Sequence, residues 1–314
     1  MSEQETRQLK GRARLPAGGA RAATLAGIGR RPGGQNRRNQ LFLALLYFAV
    51  SIALLGLALI LIDAIVKGSG RLSLDIIRNS PSSDGSRAGF AQPILGTLWL
   101  IGLMIVMVVP VGLGAALYLE EYADRDRWHN RLIELNVQNL AAVPAIVYGI
   151  LGLAFIVRGP LGLGFILFTG SITLALLVLP MVIIASREAI RAVPPSIREG
   201  SLALGATQWQ TISRQVVPAA VPGILTGVIL AVSRAIGEAA PLLLLGAATF
   251  VTFNPEPFSD TGWTALPVQI FNYARRPQDA FQNAAAAGII VMLVVLLLMN
   301  SFAIWLRNRF EQNW

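Results

Sequence analysis

The 314-residue chain has no cysteine, which excludes a disulfide framework, a thiolate zinc site and a cysteine nucleophile. Histidine is almost as scarce. The single copy, His129, lies in a charged loop and not among carboxylates at metal-ligand spacing, which argues against a metalloenzyme. Charged residues make up 14% of the chain against 54% hydrophobic ones, a balance too apolar for a soluble domain and usual for a polytopic membrane protein. Neither GxxxxGK[ST] nor GxSxG occurs, and no cluster of Asp, Glu and His has catalytic spacing. The chain therefore reads as no enzyme, and any ATP-derived energy comes from another subunit.

The formal charge is +9, and its basic residues gather in the N-terminal stretch and in loops on one predicted side. That distribution fits membrane topology better than nucleic-acid binding, since no aromatics interleave with the N-terminal arginines. Residues 1–40 are rich in Arg, Gly, Ala and Gln without apolar periodicity. They read as a disordered basic cytoplasmic tail that touches acidic lipid. A signal peptide is excluded because Leu41 to Val66 exceeds such a peptide's apolar core.

A helix needs about 20 mainly apolar residues to cross a hydrocarbon core about 30 Å thick. Six segments meet or approach this: Leu41–Val66, Ile94–Leu119, Leu140–Val157, Ser171–Ala185, Ala219–Gly246 and Ala284–Leu306. The fourth is short unless it starts back near Phe165. Lys and Arg counts place the N-terminus inside, and an even number of spans returns the C-terminus, with Arg307 and Arg309, to the cytoplasm. The inner loop 120–139 carries Leu132, Ile133 and Leu135 among charges of both signs, which predicts a short amphipathic helix on the membrane or on a partner. The outer loop 249–283 is long and holds Pro255, Pro257, Trp263 and Tyr273. Its aromatics suggest an interfacial lid or a landing surface for a partner protein.

Arg234 and Glu238 are the sharpest chemical signal, because an ionisable side chain within a span costs at least about 2.5–3.5 kcal/mol. Their i,i+4 spacing puts them one turn apart on one helix face, as a functional pair or as an ion pair joining neighbouring helices. A guanidinium offers five fixed donors and suits a tetrahedral oxyanion. Ser233 adds a hydroxyl donor or bonds back to its own helix. Pro241 cannot donate to the Gly237 carbonyl, so a kink is expected just beyond the charged turn. Arg187, at the inner end of the fourth span, either snorkels to headgroups or meets the permeating anion near its exit. Arg158 and Asp63 read as interfacial.

The loop SREAIRAVPPSIREGSLALGATQWQTISRQVVP, which starts at Ser186, places Gly205 six residues after Glu199 and Pro218 thirteen after Gly205. This spacing resembles the EAA loop of ABC importer permeases. Gly200 and Ser201 stand where that pattern has two alanines, and Gln215 and Val217 where it has Ile and Leu. The following AAVPGILTGVILAVSRAIGEAAPLLLLGA resembles the phosphate-specific ABC permeases, in particular the second of their two permease subunits.

The resemblance covers roughly Ile94 to Trp314 and implies an all-α integral membrane protein with six transmembrane helices and an ABC type I importer fold. Its permease domain would be 41–314, with a coupling loop at about 187–218 that meets the ATPase through Glu199, Gly205 and Pro218. Phosphate would pass near Arg234, Glu238, Ser233 and Arg187. The chain would bind no cofactor or metal, ATP being used by a partner. Implied partners are a PstC-like second permease, two copies of a PstB-like ATP-binding subunit, an extracytoplasmic PstS-like phosphate-binding protein and the lipid membrane, with no nucleic acid. The nearest alternative changes the cargo to sulfate, molybdate or tungstate. An alternative of another class, an ATPase-independent transporter or channel, has no need of a docking loop.

Overall fold

The computed structural model describes residues 33–310 apart from 125, 248–249 and 260–261. Two units make up the chain, residues 1–61 and residues 62–314. Helix α1 (Gly33–Ser69) contains the first expected span and starts inside the stretch read as tail, whose residues 1–32 lie outside the described ones. A short helix α2 (Leu74–Arg78) leads to α3 (Ala91–Leu117), which continues through a wide π-turn at Tyr118–Tyr122. Next come α4 (Trp128–Ala141) and α5 (Ala145–Leu151), the latter extended by a π-turn at Gly152–Val157. Helix α6 (Leu167–Arg191) is followed by α7 (Pro195–Ala203) and α8 (Gln208–Thr211). A π-turn at Ile212–Val216 joins α8 to α9 (Val217–Ile236). The chain closes with α10 (Ala240–Leu244), α11 (Leu266–Ala274) and α12 (Asp279–Phe310).

Among the described residues, five helices are long and apolar enough to cross a membrane: Arg37–Ser69, Ala91–Tyr122, Leu167–Arg191, Gln208–Ile236 and Asp279–Arg309. The third expected span differs from its prediction. Leu140–Val157 is no single helix, because the chain turns by 106° between α4 and α5. Pro144 explains the turn, since the residue before a proline avoids helical geometry. The inner-loop helix predicted around Leu132 is α4 itself. The fourth span runs longer than Ser171–Ala185, with Ile166 extended just before it.

The fifth span is displaced toward the N-terminus. Thr207 and Gln210 form a reciprocal capping box that starts α8 within the predicted loop, and the helix continues unbroken to Ile236. Pro218 lacks an N–H, and the π-turn lies in the turn that would have received that bond. The helix then stops at Gly237, before Pro241. Pro241 kinks nothing, because it lies in the first turn of α10, where a missing N–H costs little.

Helix α6 sits at the centre of the packing. Leu174, Leu177, Val178 and Val182 meet Leu100, Ile101, Met104 and Val108 of α3, with Ala231 and Ala235 of α9 closing the third side. Helices α6 and α9 approach closely because small residues face one another at four-residue spacing. A Cβ on Gly223 would lie 2.8 Å from the Ala189 Cβ, and one on Gly227 2.4 Å from the Ala185 Cβ. Gly227→Val should therefore push the two helices apart, at a cost of about 1–3 kcal/mol for overpacking. Thermal unfolding in detergent checks this against Gly102→Ala, which faces open space and should leave the midpoint unchanged.

The outer segment is not the aromatic surface that its composition suggests. Trp263 and Tyr273 are buried, at 0% and 1% exposure. The Trp263 indole N–H donates to the Phe165 carbonyl at 3.1 Å, and the Leu266 N–H donates to the Thr97 hydroxyl at 2.8 Å. Tyr273 packs edge-on to Phe90, in a second core with Ile76, Leu266, Phe281 and Ala284. Arg71 holds the preceding loop by donating to the carbonyls of Gly85, Ser86 and Ala88. Among the described residues, the exposed aromatics of the segment are Phe250, Phe253, Phe258 and Phe271.

Candidate functional site

Arg234 lies in the last turn of α9, and Glu238 follows just beyond the helix end. The chain turns there through bonds from Gly237 N–H to the Arg234 carbonyl and from Glu238 N–H to the Ala235 carbonyl. The Arg234 Nε stands 3.5 Å from Glu238 Oε1, beyond the usual 2.7–3.2 Å hydrogen-bond range. Its Nη1 is 3.2 Å from the Met181 sulfur of α6, a weak acceptor. The Arg234 side chain is 45% exposed and that of Glu238 21%. A half-exposed guanidinium loosely held by one carboxylate can turn its fork to an incoming anion, and the neighbouring carboxylate can accept a proton-bearing ligand oxygen.

The structure brings Arg234 and Glu238 together and takes the other two pathway candidates elsewhere. Ser233 faces the last span, its hydroxyl 2.7 Å from both the Ile229 carbonyl and the Asn300 Oδ1. Arg187 neither snorkels nor stands open, as its side chain is only 9% exposed. It pairs with Glu134 of α4 at 3.1 Å and with Glu120 of the first π-turn at 3.6 Å. Arg158 lies over the Phe165 ring at 5.5 Å, and Asp63 pairs with Lys67 at 2.8 Å.

Helices α7 and α8 form a hairpin that leaves no residue of α7 buried. Gly205 makes its turn at φ +84°, donating to the Leu202 carbonyl while Ala206 donates to that of Ser201. These two bonds are a Schellman motif, which calls for glycine at the left-handed position. The Ser201 and Thr211 hydroxyls join the two helices at 2.8 Å. A groove of about 470 Å³ lies along the hairpin, lined by Ile197, Gly200, Ser201, Leu204, Gln210 and Arg214. Leu204 at the tip is 91% exposed, and Trp209 and Glu199 are exposed as well. Pro218 is not part of the hairpin, since it lies in the long helix that leads away from it.

Residues 108–312 match the family model described as "Binding-protein-dependent transport system inner membrane component". The chain belongs to that family. It is thus a multi-pass component of the inner membrane. This family member is 34% identical over 266 residues to the phosphate transport system permease protein PstA of Haemophilus influenzae, covering 84% of this chain and 92% of the relative. It is 33% identical over 272 residues to the PstA of Yersinia pestis, covering 86% and 90%. Among solved structures, a chain of a bacterial alginate ABC transporter shares its fold with a TM-score of 0.64, at 19% identity over 87% of this chain and 96% of that one.

Several residues that shape this permease-family chain escaped the sequence reading. Met181 beside Arg234, Asn300 opposite Ser233, and the carboxylates Glu120, Glu121 and Glu134 lie far along the chain from their partners. Opposite charges in two loops assigned to one side, 120–139 and 186–218, were the available signal.

Proposed function

We propose that the chain is the transmembrane permease subunit of an ATP-driven ABC importer that moves inorganic phosphate into the cytoplasm. The observation that carries this reading is the half-exposed Arg234 beside Glu238, at the broken end of a membrane-length helix. Kinship with named phosphate permeases over most of the chain supports the cargo. Phosphate enters the range of the Arg234 fork, which donates to its oxygens, while Glu238 accepts a hydrogen bond from the oxygen that keeps a proton at neutral pH. The chain itself makes and breaks no covalent bond. ATP is bound and hydrolysed by two copies of a separate subunit, which dock on the α7–α8 hairpin at the cytoplasmic side. Both termini lie on that side. A related permease completes the pathway, and an extracytoplasmic binding protein delivers the anion.

The test is uptake by vesicles that contain the complex with its binding protein. Expected is phosphate accumulation that needs ATP and exceeds sulfate accumulation. Uptake by this chain alone, without the ATPase, would overturn the reading in favour of a secondary transporter or channel, and preferred sulfate uptake would change the cargo.

The hairpin yields its own prediction. A Cβ at Gly205 meets nothing within 4 Å, so a larger side chain fits the isolated subunit but occupies the space of a docked ATPase. The positive φ adds a local cost of about 1–2 kcal/mol for most residues. Gly205→Trp should weaken crosslinking of the hairpin to the ATPase and lower transport, whereas Gly205→Asn, which tolerates this backbone, should do so far less. Equal, wild-type transport in both would remove the docking role.

A further inference from the structure

The hairpin is fastened to two spans by side chains that the pathway and the docking surface leave unused. Arg198 of α7 donates from Nε at 3.1 Å and from Nη2 at 2.8 Å to Oε1 of Glu121, in the π-turn that ends the second span. The same guanidinium reaches the C-terminal end of the fourth span, from Nη1 to the Val193 carbonyl at 2.6 Å and from Nη2 to the Ile190 carbonyl at 2.8 Å. Carbonyls at a helix C-terminus carry partial negative charge, and the Ile190 carbonyl, which already accepts from the Val193 N–H, has a second lone pair for the cation. From the other arm of the hairpin, Gln208 Nε2 donates to the Glu121 carbonyl at 2.8 Å.

The neighbouring turn is cross-braced as well. Glu120 accepts from Arg191 Nε and Nη2, both at 3.0 Å, and lies 3.6 Å from Arg187, which reaches on to Glu134 of α4. An exposed ion pair adds little stiffness, because two long side chains are free to leave it. Arg198 and Glu121 differ from such a pair. Their side chains are 22% and 10% exposed, and one planar guanidinium is bound to a carboxylate and two backbone carbonyls at once. Without that clamp, α7 would be held to α6 by the short link Ala192–Pro194 and by Ile197 packed against Ile190, Val193 and Val216, while the other arm stays continuous with α9.

We propose that Arg198 and Glu121 are a latch that makes the hairpin and the adjoining ends of the second and fourth spans move as one body. This rests on the importer reading above. Arg198 is then a positioning residue for coupling: it transmits hairpin displacement to α6 without touching ATP or anion. Along α6, Met181 lies about 9 Å from Arg187, at 1.5 Å per residue. The Met181 sulfur is the contact of Arg234 Nη1, so the same helix links the latched end to the candidate anion site.

The chain's lack of cysteine makes the test direct. Glu121→Cys with Arg198→Cys cuts the latch and places a thiol on each side of it, in the complete complex with cysteine-free partner subunits. Before crosslinking, the assembled complex should hydrolyse ATP but spend severalfold more of it per phosphate imported than wild type. A reversible bifunctional thiosulfonate that bridges the two thiols should restore the wild-type ratio, and reductant should abolish that rescue. A merely structural role would lower assembly and leave the ratio unmoved. Arg198→Gln, which removes the charge with little change of size, is the second variant and should raise the ratio in the same way.

A wild-type ratio in both unlinked variants overturns the latch, and so does loss of transport on crosslinking, since the two sides would then have to move apart. A wild-type complex that imports no anion with ATP overturns the importer reading and the latch together. Coupled wild type with equally coupled variants overturns the latch alone.

Discussion

Arg234→Ala is expected to cut phosphate uptake by about 10- to 100-fold in complexes that assemble normally, since a hydrogen bond to a charged group contributes about 1.5–3 kcal/mol and each 1.4 kcal/mol is tenfold. Normal assembly is expected because the Arg234 side chain is 45% exposed and its contacts are a 3.5 Å pair and a thioether. Arg234→Lys keeps the charge and loses the fork, so uptake should also fall sharply. Glu238→Gln tests the other half of the pair. At neutral pH phosphate keeps a proton to donate and sulfate does not, so a carboxylate at this place accepts a bond from one and repels the other. The neutral amide should narrow the preference for phosphate over sulfate, measured with a permissive binding protein so that the permease itself is read. Unchanged uptake in both Arg234 variants would reduce the pair to a helix-end ion pair, and unchanged selectivity in Glu238→Gln would leave the glutamate a charge-balancing role.

Arg187→Met should act on stability and not on anion recognition. The substitution takes one guanidinium from Glu120, whose side chain is 5% exposed and which keeps Arg191, and leaves Glu134 without its 3.1 Å partner. Removing one side of a buried pair typically costs about 3–5 kcal/mol, and the surviving Arg191 contact places this case near the lower value of about 3 kcal/mol. A fall of several degrees in the unfolding midpoint of the purified complex is the expected reading. Adding Glu134→Gln should recover part of it. If Arg187→Met instead kept the midpoint and lost uptake, Arg187 would return to the anion pathway.

Arg234 and Glu238 were legible because charge inside an apolar run is costly and has a short list of causes. The coupling loop was legible only through its resemblance to the EAA loop, and the left-handed turn that Gly205 makes between its two helices was not read from the residues. Arg187 was not legible. Its fate depends on Glu134, which lies 53 residues away on a helix whose orientation follows from the turn at Pro144. Periodicity along one segment carries no information about that meeting. Trp263 and Tyr273 failed for a different reason, since a buried aromatic in a folded-back loop and an exposed one at an interface have the same local composition. The end of α9 at Gly237 was masked by the apolar run from Ala239 to Leu245, which reads as continuous helix although the hydrogen-bond ladder has stopped.

The sharp turn between α4 and α5 also bears on the lipid. Ala145–Val157, helix plus π-turn, is 13 residues by its own bounds. At 1.5 Å per residue it reaches about 20 Å, some 10 Å less than an average hydrocarbon core. Helix α4 runs off at 106° to it, so the two helices do not form one straight crossing. The remaining thickness has to be covered by a neighbouring protein or taken up by local thinning of the bilayer, and thinning costs fractions of a kcal/mol per ångström of mismatch. Wherever lipid borders this short segment, the length of the surrounding acyl chains becomes a load on the subunit, borne beside the turn that also positions Glu134 against Arg187.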